Sequence, residues 1–195
     1  MTAPFPNLHL PATARLQLRP LEVSDAQRIF DIWSDPEVMR FYDVAPLTRI
    51  GQAEDVVTRL IQDMAERSGI RWAIVSTNEM RVIGTCGFRL NFAFRSASLG
   101  FELERRYWGQ GLMREALDAA IAYAYDHLGM NRIQATTNLD NHASAGLLAS
   151  LGFVEEGVMR QWGYWKDAFH DVRLLSLIQS DHAARQAALS RPNPD

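Results

Sequence analysis

Arg106-Tyr107-Trp108-Gly109-Gln110-Gly111 has the residue types and spacing of a phosphate-binding turn. It follows an apolar-rich segment, Ser98-Leu99-Gly100-Phe101-Glu102-Leu103, and runs into a long alanine-rich amphipathic stretch. Strand, glycine turn and helix in that order form a physical device. The glycines let the backbone come close to a ligand, and the first free N–H groups of the helix point at it from the positive end of the dipole.

Taken alone, Arg-x-x-Gly-x-Gly also describes an ordinary glycine turn with a surface arginine. Its context and two failed alternatives narrow it. A Walker loop needs Gly-Lys-Ser/Thr at its end, and Gly111 is followed by Leu112. A dinucleotide fingerprint needs a third glycine where Arg114 stands, and an acidic residue closing the next strand. A second element lies downstream: Asn138-Leu139-Asp140-Asn141-His142-Ala143-Ser144, then Leu151-Gly152-Phe153.

The elements that must position these residues follow from periodicity. Residues 1–13 carry three prolines and read as a loose arm. Residues 15–19 alternate as a strand that Pro20 ends. Ser24-Asp25 starts a helix with Ile29, Phe30, Ile32 and Trp33 on its apolar face, and a short helical turn follows through residues 37–41. Val56, Val57, Leu60, Ile61 and Met64 mark a helix over 52–67, with Gly69 as its C-cap. Residues 72–75, 82–88 and 97–104 read as strands. Leu112 to Leu128 form one helical stripe, stopped by Gly129. A short strand at 132–137, a helix at 142–151 capped by Gly152, and two strands around Lys166-Asp167 complete the domain. The tail, 179–195, is polar and reads as a frayed helix or as disordered. The order describes one α+β (mixed α/β) domain over 14–178, not a regular alternation of strand and helix.

A chain of 195 residues suits one domain with a substantial core. At 47% hydrophobic and 22% charged it has a globular composition, and a net charge of −3 supplies no basic field to hold nucleic acid. No apolar run is long enough to span a bilayer, and residues 1–7 lack the pattern of a secretory signal. Cys86 is the only cysteine, so no intrachain disulfide can form. These features favour a cytoplasmic protein. His9, His127, His142 and His182 have no metal-ligand spacing, and no metal is expected.

The chain resembles the GNAT acyltransferase superfamily, which transfers acetyl from acetyl-CoA to an amine. Arg106-x-x-Gly109-x-Gly111 is similar to its pyrophosphate motif, and Asn141-x-x-Ser144 with Leu151-Gly152-Phe153 to its second CoA motif. Leu16-x-Leu18-Arg19-Pro20-Leu21, Asp25, Trp33-Ser34-Asp35-Pro36-Glu37-Val38-Met39, Tyr164-Trp165-Lys166-Asp167 and His170-Asp171-Val172 resemble its ribosomal-protein N-terminal acetyltransferase branch. The resemblance covers residues 14–178. It implies a mostly antiparallel sheet flanked by helices and splayed between strands four and five, here 99–103 and 132–137. There the free N–H and C=O groups of strand four can pair with the pantetheine amides.

The same resemblance assigns roles. Gly109, Gln110, Gly111, Leu112 and Met113 offer N–H groups to the pyrophosphate, and Arg106 adds charge or is simply solvated. Phe101 and Leu103 line the pantetheine, and a strand-four N–H near Leu103 stabilises the oxyanion. Glu102 is the candidate base, since a protonated amine has no lone pair to attack with; its alternatives are a solvent-facing strand residue or a ligand for the substrate's charge. Many members carry a tyrosine acid where Leu148 stands here, so Ser144 is the substitute partner for the leaving sulfur. Asn141 bonds the pantetheine, caps its helix, or does both. Asn138 shapes the turn after its strand. Met39, Phe41 and Tyr42 fall where the branch builds one wall of the acceptor cleft. Trp108, Tyr107, Trp72, Trp162 and Trp165 are expected in buried packing. Cys86 has no matched base, which argues against an acyl-enzyme. The expected reaction is direct attack on acetyl-CoA by a protein or peptide N-terminus. A small amine such as an aminoglycoside or polyamine is the alternative acceptor, and a non-catalytic acyl-CoA sensor or scaffold the alternative class. A homodimer is implied by analogy only; no nucleic-acid or membrane partner is expected.

Overall fold

The computed structural model describes Phe5, Leu8, Leu10 and residues 12–189. Its strands are β1 (Leu16–Pro20), β2 (Gly69–Ser76), β3 (Arg81–Asn91), β4 (Ser96–Leu103), β5 (Arg132–Asn138), β6 (Val154–Trp165) and β7 (Ala168–Ile178). Its helices are α1 (Ala26–Trp33), α2 (Ile50–Ala65), α3 (Leu112–Asp126), α4 (His142–Ser150) and α5 (Gln179–Leu189). The strands form one sheet in the order β1-β2-β3-β4-β5-β7-β6. Every neighbouring pair is antiparallel except β4 and β5, which α3 joins as a parallel crossover.

Alternation along the strands gives the sheet two apolar faces. One packs on α1 and α2 through Ile29, Ile32, Met39, Val57 and Ala73. The other packs on α3 and α4 through Trp72, Cys86, Leu117, Ile121 and Leu148. Ala116, Ala120 and Ala124 of α3 are fully buried. These small side chains let the helix lie close to the sheet, while the buried Leu117 and Ile121 contribute roughly 1.5–3 kcal/mol each.

The feature that positions a site is where β4 and β5 part. They pair only at Ser96↔Arg132, Ala97↔Ile133 and Ser98↔Gln134. Beyond that, β4 stays on β3 as far as Gly84↔Leu103, and β5 stays on β7 as far as Asn138↔Val172. A wedge therefore opens beside residues 99–103, as the resemblance implies.

Some local expectations change. Gly69 does not cap α2; it opens β2 opposite Arg89. Arg67 takes the left-handed conformation instead, at φ 60°. Its guanidinium lies between the Phe5 and Phe92 rings, 5.2 and 5.3 Å from their centroids, and this cation–π sandwich offsets the backbone strain. Residues 36–41 form hydrogen-bonded turns, with Met39 N–H donating to the Asp35 carbonyl at 3.1 Å, in keeping with the expected short helical turn. The arm is not loose where it is described. Phe5 and Leu10 are core residues, and the Leu8 carbonyl accepts from Trp72 Nε1 at 2.8 Å. The tail is helical over α5, and the remaining residues, 190–195, lie outside the described chain. No helix among the described residues is long and apolar enough to cross a membrane.

Arg132 of β5 grips Glu156 of β6 with two hydrogen bonds of 2.6 Å, and Ser176 Oγ donates to the same carboxylate at 2.7 Å. The arginine first and the serine second hold the Glu156 carboxyl down at about 2, against an ordinary 4.5. A depressed carboxyl stabilises the fold above its ordinary value and loses that contribution as pH falls towards 2. The side chain is 38% exposed, so screening keeps the effect below about 1 kcal/mol. The melting temperature of the parent should therefore fall between pH 4.5 and 2 more steeply than that of Glu156→Gln. Parallel profiles would remove this link.

Candidate active site

The direction of the β4 backbone decides what the wedge can do. Glu104 N–H donates to the Ile83 carbonyl at 2.8 Å, whereas the Arg95 carbonyl accepts from Asn131 N–H at 2.7 Å on the other side. Even-numbered residues of β4 thus face β3, and odd-numbered ones face β5. Past Ser98 no β5 partner is in register. The N–H groups of Phe101 and Leu103 consequently point into the wedge without a ladder partner. Trp108 Nε1 donates to the Leu103 carbonyl at 2.7 Å, and the Tyr42 hydroxyl lies 2.9 Å from the Phe101 oxygen. The wedge edge is left with two donors, and its Leu103 acceptor is engaged.

Gly109 and Gly111 stand at the mouth of the wedge with φ of 71° and 75°, which L side chains rarely adopt. Gly111 is the N-cap of α3 and has no side-chain cap. The first intrahelical bond is Glu115 N–H to Gly111 O, at 3.1 Å. The N–H groups of Leu112, Met113 and Arg114 precede it and remain available to an anion. Gln110 is held in shape: its side chain donates to the Arg106 carbonyl at 2.8 Å, and its own carbonyl accepts from Arg15 at 2.9 Å.

Arg106, expected to add charge at the phosphates or simply to be solvated, is half-exposed and held by carboxylates. It pairs with Glu79 at 2.6 Å and Glu104 at 3.0 Å, and lies over the Tyr107 ring. Two carboxylates and an aromatic ring hold this guanidinium, and the free N–H groups of the turn belong to the backbone. Trp108 and Trp162, expected to be buried, are 47% and 52% exposed, whereas Trp72 is fully buried.

Across the wedge, Asn141 is the N-cap of α4. Its Oδ1 accepts from Ser144 N–H at 3.1 Å, which leaves its Nδ2 group to donate elsewhere. Ser144 is half-buried on the first turn of α4. Asn138 shapes the preceding turn by accepting from Asp140 N–H at 3.1 Å. Leu148 is fully buried in the core, so the position of the usual tyrosine serves packing here. Thr137 on β5 is a residue that the sequence did not single out. Its Oγ1 is buried with no partner among the described residues, beside the parted strands.

Glu102 lies on the opposite face of β4 from Phe101 and Leu103. It is 4% exposed, which excludes the solvent-facing alternative. Its carboxylate accepts from Arg71 Nη2 and Thr85 Oγ1, and lies 2.7 Å from the Tyr42 hydroxyl. Arg71 also donates to Thr85 Oγ1 at 2.6 Å and to the Gly100 carbonyl at 3.0 Å. Burial first, and the Glu102 charge second, push the Tyr42 hydroxyl well above the phenol range, so it stays a protonated donor. Gly100 permits this arrangement, since a Cβ there would stand 3.0 Å from Arg71 Nη1.

Of the expected acceptor-wall residues, Tyr42 reaches the β4 edge and Phe41 is half-buried, with the Arg40 guanidinium 5.1 Å from its ring centroid. Met39 is a correction. Its side chain is fully buried and cannot touch an acceptor; only its carbonyl takes part, accepting from Lys166 Nζ at 2.8 Å. Lys166 also donates to the Arg40 carbonyl at 3.2 Å, so the β6–β7 turn closes over the α1–α2 loop.

Burial pushes the Cys86 thiol up to about 12, with nearby Glu102 adding to the shift and Arg71 opposing it. The thiol should resist alkylation at pH 8 in the folded protein and react fully in denaturant, and Cys86→Ala should keep its activity. Rapid native alkylation, or loss of activity in a folded Cys86→Ala, would reopen a covalent route. Among the described residues no His, Cys, Asp and Glu group could hold a metal ion.

A family model described as an acetyltransferase (GNAT) domain matches residues 15–154. The chain is 36% identical over 173 residues to an uncharacterized N-acetyltransferase, p20, of Bacillus licheniformis, spanning 88% of this chain and 97% of that one. A spermidine N(1)-acetyltransferase of Vibrio cholerae is 24% identical over 173 residues, spanning 88% and 98%. A ribosomal-protein-S5-alanine acetyltransferase structure from Vibrio fischeri shares the fold with a TM-score of 0.76 at 25% identity, covering 88% of this chain and 97% of that chain.

Proposed function

The chain belongs to the GNAT acetyltransferase family, whose members use acetyl-CoA to acetylate amines, and from that premise we propose that its acceptor is the N-terminal amine of a protein or peptide. The observation that carries the choice of acceptor is the pairing of Glu102 with Arg71 beneath the β4 edge. A polyamine brings several positive charges and needs uncompensated carboxylates. Here the buried carboxylate already has its countercharge, and Lys166 and Arg40 add positive charge at the closing turn. A single amine on a polar backbone suits these surroundings better.

The chain's residues act as follows in this proposal. Backbone N–H groups from Gly109 to Met113 receive the pyrophosphate at the α3 N-terminus. Asn141 keeps its cap and donates through Nδ2 to the pantetheine, while Phe101 N–H pairs along the arm. Leu103 N–H donates to the thioester oxygen as charge develops there. Ser144 hydrogen-bonds the departing sulfur. Glu102, neutralised by Arg71 and already accepting three hydrogen bonds, anchors Tyr42 at the β4 edge; the amine's proton leaves through water.

The test is release of CoA thiol from acetyl-CoA with a panel of peptides bearing free or blocked N-termini, spermidine and an aminoglycoside. Free N-termini should drive release and blocked ones should not. Release with spermidine alone favours the polyamine reading, which the whole-length relative of that activity supports. Tight CoA binding with release no faster than buffer across the panel favours a sensor.

A further inference from the structure

Arg185 stands on α5 at the meeting point of two other helices. Its Nη1 donates to Asp118 Oδ1 of α3 at 3.3 Å, and its Nη2 donates to the Ser150 carbonyl at the end of α4, also at 3.3 Å. Its stem lies against Gly152, where a Cβ would approach Arg185 Cδ to 3.2 Å. The Ser150 carbonyl belongs to the last turn of α4, where carbonyls lack helical partners and the dipole favours a cation. Nearby, the buried His182 ring of α5 lies 4.9 Å from the Tyr125 ring of α3, and Tyr125 itself donates to the Leu177 carbonyl at 2.7 Å.

Helix α5 therefore ties together the two helices whose N-termini flank the wedge. We propose that α5 is a strap fixing α4 against α3, and that Arg185 is a positioning residue for acetyl-CoA. This rests on the reading that the α3 N-terminus and Asn141 hold CoA. Without Arg185, α4 is held to α3 less firmly, and the donors at its N-terminus shift relative to the Gly111 end. Small displacements of positioning groups cost binding and rate far from the chemistry.

The experiment measures CoA affinity of the full chain by calorimetry, well below the melting temperature of each variant. Arg185→Ala should raise Kd about fivefold or more, and Arg185→Lys, which keeps the stem and one cationic donor, should recover part of that loss. Unchanged Kd in Arg185→Ala, even with a lowered melting temperature, makes the contact structural only and overturns the proposal. Gly111→Trp is the control. If it binds CoA as the parent does, or the parent binds none, the placement of CoA fails and the strap reading fails with it.

Discussion

Gly111→Trp should give a folded protein that no longer binds acetyl-CoA. At φ 75° a side chain of L configuration costs about 1–2 kcal/mol, so the melting temperature should fall modestly. A Cβ at this position meets nothing closer than Arg15 Nη2, at 3.6 Å. The indole is therefore not forced into the core; it fills space above the uncapped N-terminus of α3. Binding should weaken by at least about 100-fold, since the backbone approach is blocked and the Leu112 and Met113 N–H groups are covered. Gly111→Ala separates the two effects: it carries the same strain with little bulk and should keep most of the affinity. Calorimetry with CoA and thermal melts of both variants give the comparison. Equal affinity in a folded Gly111→Trp would contradict the phosphate site.

Breaking the Arg71–Glu102 pair should be the most damaging change to stability. Arg71→Ala leaves Glu102 buried without its countercharge, and one-sided removal of a buried pair costs about 3–5 kcal/mol. Adding Glu102→Gln to that variant should restore part of the loss, because the stranded charge is gone. Glu102→Gln alone should leave acetyl-CoA affinity within about twofold, since the carboxylate is on the opposite face from Leu103, while turnover falls by about 100-fold as Tyr42 loses its anchor at the β4 edge. Chemical denaturation and single-turnover rates across the three variants check both halves. Unchanged turnover in Glu102→Gln at neutral and mildly acidic pH would remove Glu102 from the reaction.

What the sequence could reveal followed local rules. Alternation in Leu16–Arg19, the Leu117 and Ile121 stripe, and the glycines before Leu112 are short-range signals, and each led to its element. The parting of β4 and β5 came from the family resemblance, because strand register is not written in either strand alone. Arg106 shows what a local motif leaves out. Its partners Glu79 and Glu104 are brought to it by the β2–β3 turn and the end of β4, a tertiary arrangement that its own motif does not encode. The Arg71–Glu102 pair was equally hidden, since β3 stands between the two strands and sets their alignment through Arg71↔Gly87 and Thr85↔Glu102. Gly69 misled because glycine is the usual left-handed cap, and the aromatic sandwich around Arg67 outweighed that preference. Trp108 gave no sign that its indole N–H would cap the Leu103 carbonyl, because the capping contact needs the turn's three-dimensional path.

The central claim is that acetyl-CoA lies in the wedge between β4 and β5, with its pyrophosphate on the α3 N-terminus. Amide hydrogen exchange with and without acetyl-CoA tests it most directly. The account predicts that added acetyl-CoA slows exchange at Phe101, Leu103 and residues 109–113, with little change in β1 or β2. Saturating ligand that leaves those amides exchanging as before, or protects a different part of the sheet, would contradict it.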